Sequence, residues 1–262
     1  MSIEIDLEGR VFLQCGASPG GISGATARKL AATGCSIVCV DISQDLLDQT
    51  IADVEAKGGR CYGIVADLLD PTQTDPIVDT IIREYGRLDG VANIAGGTRQ
   101  AEWMPLELTP LEEFRTTLNY NLEYVFRICR DAARSMIERK ASGSIVNVGS
   151  ISALTSAPWH GPYGAAKSGL SALTRTMANE WREYGIRANT VSPGAVYTQR
   201  IKDMQAARGS AGGDASGVIW TTPDELANMI IFLLSDLASG VSGQTIVVDS
   251  SLSTKFCGGD RK

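Results

Sequence analysis

The chain has 262 residues, a formal net charge of −6 and 44% hydrophobic side chains, enough for a buried core in one large domain or two small ones. The acidic balance argues against nucleic acid and anionic membranes as partners, and no apolar run approaches the ~20 residues that would span a bilayer. The N-terminal Met1 to Asp6 is acidic and has no signal-peptide pattern, so the expectation is a soluble, cytoplasmic protein.

In chain order, short apolar runs alternate with longer helical patterns. Arg10 to Cys15 reads as a buried strand, followed by a glycine-rich turn and a helix to about Thr33. Ser36 to Asp41 is a second strand, and Ser43 caps a helix from Gln44 to Lys57. Arg60 to Ala66 is a third strand, Pro71 to Tyr85 a helix, and Leu88 to Ala95 a fourth strand. A long helix is expected from Pro110 to Arg139, with Leu118, Leu122, Val125, Cys129, Ala133 and Met136 forming an apolar stripe. Ser144 to Gly149 is strand five, a helix runs to about Tyr184, and Ile186 to Ser192 is strand six. Pro223 to Ser235 is the last helix and Gln244 to Asp249 the last strand.

This alternation predicts an α/β fold. The expected architecture is a single-domain Rossmann fold spanning 1–262, with a doubly wound, seven-stranded parallel sheet covered by helices on both faces. The polar, glycine-containing stretch 193–222 is expected as an irregular lid over the substrate, with a surface excursion as the alternative, and 253–262 as a poorly ordered tail. The six cysteines contain no C-x-x-C pair and sit mostly in apolar runs, which predicts buried thiols in a reducing compartment. With His160 the only histidine, no metal site is expected.

Three local patterns carry chemistry. The stretch Cys15 to Ala25 follows a strand and opens a helix, so its glycines and the helix N-terminus can receive a pyrophosphate. Asp41 ends strand two, 25 residues after Gly16, where an acid accepts hydrogen bonds from adenosine ribose hydroxyls and repels a 2′-phosphate, favouring NAD. Its alternative role is that of a turn or capping aspartate. Arg28 and Lys29 are candidates for a 2′-phosphate, but they sit inside the helix and read better as solvated charges. Tyr163 and Lys167, four apart on a helix, share one face. A tyrosine holds its proton to about pH 10, and a neighbouring ammonium favours the phenolate, so the pair suits proton transfer.

Taken in order, the stations resemble the short-chain dehydrogenase/reductase family over nearly the whole chain. They are the turn at Gly16 to Ser23, Asp41, Asp67-Leu68, Asn93-Ile94-Ala95-Gly96, Asn121, Ser150, Tyr163 with Lys167, and Pro193-Gly194 with Thr198. Ser150 precedes Tyr163 by thirteen residues, the family's usual interval. The resemblance implies a catalytic tetrad of Asn121, Ser150, Tyr163 and Lys167. Tyr163 would exchange the proton, Ser150 would bind the same oxygen, Lys167 would hold the nicotinamide ribose, and Asn121 would anchor a relay water. It implies NAD contacts at Gly16, Ser18, Ile22, Asp41, Asp67, Leu68, Asn93, Ala95, Gly96, Tyr163, Lys167, Pro193, Gly194, Val196 and Thr198.

The chain departs from the family pattern in four places. The turn is one residue longer and places Ser23 at the usual last glycine. Cys15 replaces threonine, Ile94 replaces the second asparagine, and Asp249-Ser250-Ser251 replaces D-G-G.

On the substrate side the expected residues are Arg99, Trp103, Ser152, Trp159, His160 and Tyr197, beside Gly97, Thr98, Ile151, Gly194, Ala195 and Val196, with Met204 or Trp220 if the lid folds down. Such a wall suits an alicyclic, aromatic or steroid-like secondary alcohol or ketone. His160 is positioned for a second substrate oxygen, with a structural loop histidine as the alternative. Arg99 could pair with a substrate carboxylate or be a solvated loop residue.

The implied activity is hydride transfer between NAD(H) and that substrate. The alternatives are an NADPH-dependent 3-oxoacyl-type reductase and a nicotinamide-binding regulatory protein without turnover. The apolar residues Val125, Phe126, Cys129, Leu170, Leu173, Met177 and Trp181 are expected to pack against a second copy, because the resemblance implies a homodimer or homotetramer built on these two helices, with a purely intrachain core as the alternative.

Overall fold

The structure, a computed structural model, describes residues 4–99, 103–207 and 220–254. Its seven strands are β1 (Val11–Cys15), β2 (Ser36–Asp41), β3 (Arg60–Val65), β4 (Gly90–Asn93), β5 (Gly143–Val148), β6 (Ile186–Pro193) and β7 (Thr245–Val248). They form one parallel sheet in the order β3-β2-β1-β4-β5-β6-β7. This is the expected Rossmann-type sheet. Its order reverses between β1 and β4, and in open α/β sheets such a switch point is where ligands bind, outside the carboxyl ends of the strands.

The period-two alternation of strand side chains builds two cores. In β1, Val11, Leu13 and Cys15 join the core shared with the later helices, while Phe12 joins the core on the opposite face. The helices α1 (Ile22–Ala31), α2 (Gln44–Glu55) and α9 (Pro223–Leu234) cover that second face. The first face carries α4 (Ile77–Tyr85), α6 (Tyr124–Glu138) and α7 (Gly161–Glu180). Fully enclosed side chains such as Leu13, Ile37, Ile145 and Leu170 each contribute about 1.5–3 kcal/mol of burial.

Three expected elements differ. The helix after β3 is split into α3 (Pro71–Thr74) and α4, because Pro76 has no N–H to continue the ladder. The long helix before β5 is α5 (Leu111–Leu118) and α6, joined by a π turn at Asn119–Glu123. The stretch 193–222, expected to be irregular, contains α8 (Gln199–Ala207) and a parallel bridge from Val196 to Thr221. Residues 208–219 of the expected lid and 255–262 of the expected tail lie outside the described residues, while Leu252–Thr254 is a 3-10 turn.

The apolar residues assigned to a second copy need correction. Val125, Cys129, Leu170 and Met177 are buried in this chain's own core, because they form the sheet-facing stripes of α6 and α7. Leu173 and Trp181 pack against the same core, and Phe126 is the exposed one, at 43%. The described cysteines, Cys15, Cys35, Cys39, Cys61 and Cys129, are free and buried. Among the described residues no cluster of metal-ligating side chains occurs and no helix is long and apolar enough to cross a membrane.

Candidate active site

The site lies at the carboxyl ends of β1, β4 and β5. It begins with the turn after β1. Gly16 has φ +106°, and a Cβ there would press on the Ala95 main chain at 3.1 Å, so the first glycine meets both a conformational and a steric demand. The extra residue of the lengthened turn is absorbed by a contact between two serines. The Ser18 N–H donates to Ser23 Oγ at 2.9 Å, so Ser23 fills the place of the missing glycine with a hydrogen bond. Close approach passes instead to Gly24, where a Cβ would collide with the Ser18 and Pro19 carbonyl oxygens. Gln14, buried in an otherwise apolar strand, donates to the carbonyls of Gly16 (3.0 Å) and Ser23 (3.1 Å) and fixes the turn from below. Gly21 caps α1 without a side-chain hydrogen bond, and Ile22 is the first helical residue. The amino end of α1 therefore keeps main-chain donors for an anion.

Asp41 stands at the end of β2 and is partly exposed. Its carboxylate accepts from the N–H of Ala17 (2.8 Å) and of Ser43 (3.0 Å), so it also does the turn-bracing work considered as its alternative. Arg28 pairs with Asp53 at 3.2 Å and Lys29 with Asp224 at 3.3 Å, so both are committed at the surface. Asp67 accepts from Leu69 N–H at 2.9 Å, and Leu68 is buried beside it. The Arg127 guanidinium, itself buried, donates to the Leu68 carbonyl at 2.8 Å and holds this segment against α6.

Asn93 is fully enclosed and points into the core. Its Nδ2 donates to Asn147 Oδ1 at 2.8 Å, and Asn147 donates to Thr174 Oγ1 at 3.0 Å. This ladder ties β4 and β5 to α7, the helix that carries Tyr163 and Lys167. Ala95 accepts a 2.6 Å hydrogen bond from the buried Tyr124 hydroxyl. Gly96 has φ +133°, and a Cβ on it would come within 2.9 Å of Asn121 Oδ1 and 3.3 Å of Lys167 Nζ. Only a glycine leaves the space above those two groups open.

The π turn places Asn121 against the strand-four loop. Its Oδ1 accepts from Gly97 N–H at 2.8 Å, and its Nδ2 donates to the carbonyls of Gly97 and Thr117, both at 3.1 Å. Ser150 lies two residues beyond β5 as the N-cap of a 3-10 turn, Ile151–Ala153, and its Oγ accepts from Ser152 N–H at 3.1 Å. The Ser150 O–H proton is thus left to donate elsewhere. Lys167 is buried, donates to the Val148 carbonyl at 2.8 Å, and its Nζ lies 5.7 Å from the Tyr163 ring centroid. Burial lowers its pKa to about 7.

On the substrate side, the Trp103 and His160 rings stack at 4.8 Å and 29°, and the Tyr163 ring is 6.0 Å beyond His160. Trp159 is 59% exposed with φ +68°. Arg99 is paired with Glu113 at 2.6 Å. Tyr197 packs on Trp220 with ring centroids 5.5 Å apart. Pro193 ends β6, and a Cβ on Gly194 would meet Asp249 Cβ at 2.7 Å, so this crossing requires glycine. Thr198 follows at the start of α8, and the next residue, Gln199, donates its N–H to the Gly20 carbonyl at 3.0 Å, tying this segment to the glycine turn.

Gln14, Gly24, Tyr124 and the Val148 carbonyl are parts of the site that the sequence reading did not name. A glutamine inside the strand Val-Phe-Leu-Gln-Cys was a usable signal. A main-chain carbonyl leaves no trace in a sequence.

These residues fit a nicotinamide dinucleotide: the α1 terminus has no side-chain cap, Gly16 and Gly96 hold open cradles, and Asp41 ends the neighbouring strand. Residues 16–253 match the family model described as enoyl-(acyl carrier protein) reductase. A 3-oxoacyl-(acyl-carrier-protein) reductase of Thermotoga maritima is 34% identical over 94% of this chain and 98% of its own. A D-threitol dehydrogenase of Mycolicibacterium smegmatis is 32% identical over 97% of this chain and 98% of its own. Among solved structures, an NAD+-bound xylitol dehydrogenase superposes with a TM-score of 0.81 at 27% identity, covering 92% of this chain and 98% of that one. Sheet order and these matches agree, and the chain belongs to the short-chain dehydrogenase/reductase family of oxidoreductases.

Proposed function

We propose that this protein is an NAD-dependent dehydrogenase of a secondary alcohol, or in reverse a ketoreductase, with Tyr163 as the acid/base group. The observation that carries the reading is the burial of Lys167 beside Tyr163. An ammonium held in an enclosed site, with one carbonyl as its acceptor, sits where it can lower the phenol's pKa and also release its own proton.

The bound nicotinamide supplies the hydride chemistry. Tyr163 takes the proton of the substrate hydroxyl. Ser150, whose Oγ already accepts from Ser152 N–H, donates its own proton to the same oxygen and orients it. Asn121 fixes the Gly97 loop through its side chain from within the π turn, and its proposed role is to anchor a relay water there. The remaining cofactor contacts are those expected from Ile22, Asp67, Leu68, Ala95, Val196 and Thr198 around the same switch point.

Asp41 supports NAD over NADP, because a ribose 2′-phosphate would bring negative charge against its carboxylate. The polyol names of the threitol and xylitol enzymes suit a hydroxylated substrate. The 34% identity to a 3-oxoacyl reductase favours carbonyl reduction as a second reading. The buried free thiols are consistent with a reducing compartment such as the cytoplasm. A homodimer or homotetramer remains part of the proposal, with exposed Phe126 on α6 as its apolar contact. Screening alcohols with NAD+, and ketones with NADH and NADPH, tests the activity. Turnover confined to 3-oxoacyl thioesters with NADPH would select the second reading.

A further inference from the structure

Ser152 and His160 come from different segments, the 3-10 turn after β5 and the residue that opens α7. The fold brings Ser152 Oγ to 3.5 Å from His160 Nε2, the outer limit of a hydrogen bond. His160 Nδ1 is enclosed and has no hydrogen-bond partner among the described residues. A neutral imidazole carries one donor and one acceptor, and leaving an enclosed polar atom unpaired costs about 1–3 kcal/mol.

The surroundings hold this ring in place. Trp103 stacks on it, and the Met104 N–H donates to the Trp159 carbonyl at 2.9 Å, clamping the Trp103 segment to the loop that delivers His160. The ring lies between Trp103 and Tyr163, while Ser152 is chained through its N–H to Ser150. Two polar groups with unused hydrogen-bonding capacity therefore adjoin the two groups that handle the reacting oxygen.

We infer that Ser152 and His160 form a second polar subsite that receives a second oxygen of the substrate. The preferred substrate is then a diol, polyol or hydroxy ketone rather than the mono-alcohol of the same skeleton, with Trp103 as the apolar wall for its carbons. This rests on the dehydrogenase reading and narrows its substrate class.

The test uses matched substrates with NAD+: cyclohexanol against trans-cyclohexane-1,2-diol and cyclohexane-1,4-diol, and 2-butanol against 2,3-butanediol. These are run on the unmodified enzyme and on Ser152→Ala, His160→Leu and His160→Gln. The unmodified enzyme should favour at least one diol over its mono-alcohol by about tenfold in kcat/KM, the worth of one added hydrogen bond to a buried group. His160→Leu and Ser152→Ala should each remove most of that preference by raising KM for the diol. His160→Gln, which keeps a donor and an acceptor, should restore part of it. Equal use of diols and mono-alcohols by the unmodified enzyme, or proportional losses on both in the variants, would overturn the subsite and leave the dehydrogenase reading intact. NADH binding without turnover of any alcohol or matched ketone would overturn both.

Discussion

The Lys167 ammonium nitrogen donates to the Val148 main-chain carbonyl at 2.8 Å, in a buried position at the end of β5. That one relationship places the lysine beneath the open space above Gly96 and beside Tyr163. It also makes Lys167 costly, because burial lowers its pKa from the ordinary 10.5 to about 7.

The cost has a pH signature. Between about pH 7 and 10.5 the unfolded chain keeps the lysine proton that the folded protein has released, so folding stability rises with pH across that window. Below about pH 7 the full penalty is present, several kcal/mol in size. Lys167→Met should therefore gain most stability relative to the unmodified protein near pH 6. The difference should shrink steadily toward pH 10.5, with part of the gain offset by the lost Val148 hydrogen bond. Chemical denaturation at a series of pH values measures this. A difference that does not change with pH would contradict the buried, easily deprotonated lysine.

Asp41 braces Ala17 and Ser43, and under the proposed function it also faces the adenosine ribose. NADH should bind more tightly than NADPH by about tenfold or more, and Asp41→Ala should narrow that ratio by weakening NADH, since hydrogen bonds to a carboxylate are worth about 1.5–3 kcal/mol. Fluorescence titration of both cofactors measures the ratio. Tighter NADPH binding by the unmodified protein would reverse the cofactor assignment.

Ser250 and Ser251 occupy left-handed backbone, at φ +51° and +67°, where the family pattern has two glycines. Asp249 compensates by accepting from the N–H of Ser251 (3.0 Å) and Ser253 (2.7 Å). Left-handed geometry costs a non-glycine residue roughly 1–2 kcal/mol, against about 0.5–1 kcal/mol of added unfolded-state entropy for glycine. The double substitution Ser250→Gly, Ser251→Gly should therefore raise stability by about 1 kcal/mol. Urea denaturation would show it. A loss of stability would mean that the serine side chains themselves hold the turn.

The sheet and the helices were legible in the sequence because strand and helix periods differ and every strand here is bounded by a turn. The stations from Gly16 to Lys167 were legible as an ordered set through their resemblance to a family pattern, since each taken alone is a common residue in a common place. What the sequence hid has physical reasons. The π turn at Asn119–Glu123 and the break at Pro76 are local departures within helical patterns. The helix Gln199–Ala207 is polar enough to pass for a loop. The burial of Val125, Cys129, Leu170 and Met177 depends on which side of α6 and α7 meets the sheet, and periodicity alone does not give that orientation. The exchange of roles between Ser23 and Gly24 arises from the three-dimensional path of one extra residue.

The central claim is that Tyr163 moves the proton while the rest of the tetrad positions it. Tyr163→Phe keeps the ring beside Lys167 and removes the hydroxyl alone. Turnover of the best alcohol, measured as NADH formation, should fall by at least ~100-fold, the usual worth of a positioned acid/base group, with NADH affinity nearly unchanged. Full activity in that variant would contradict the account.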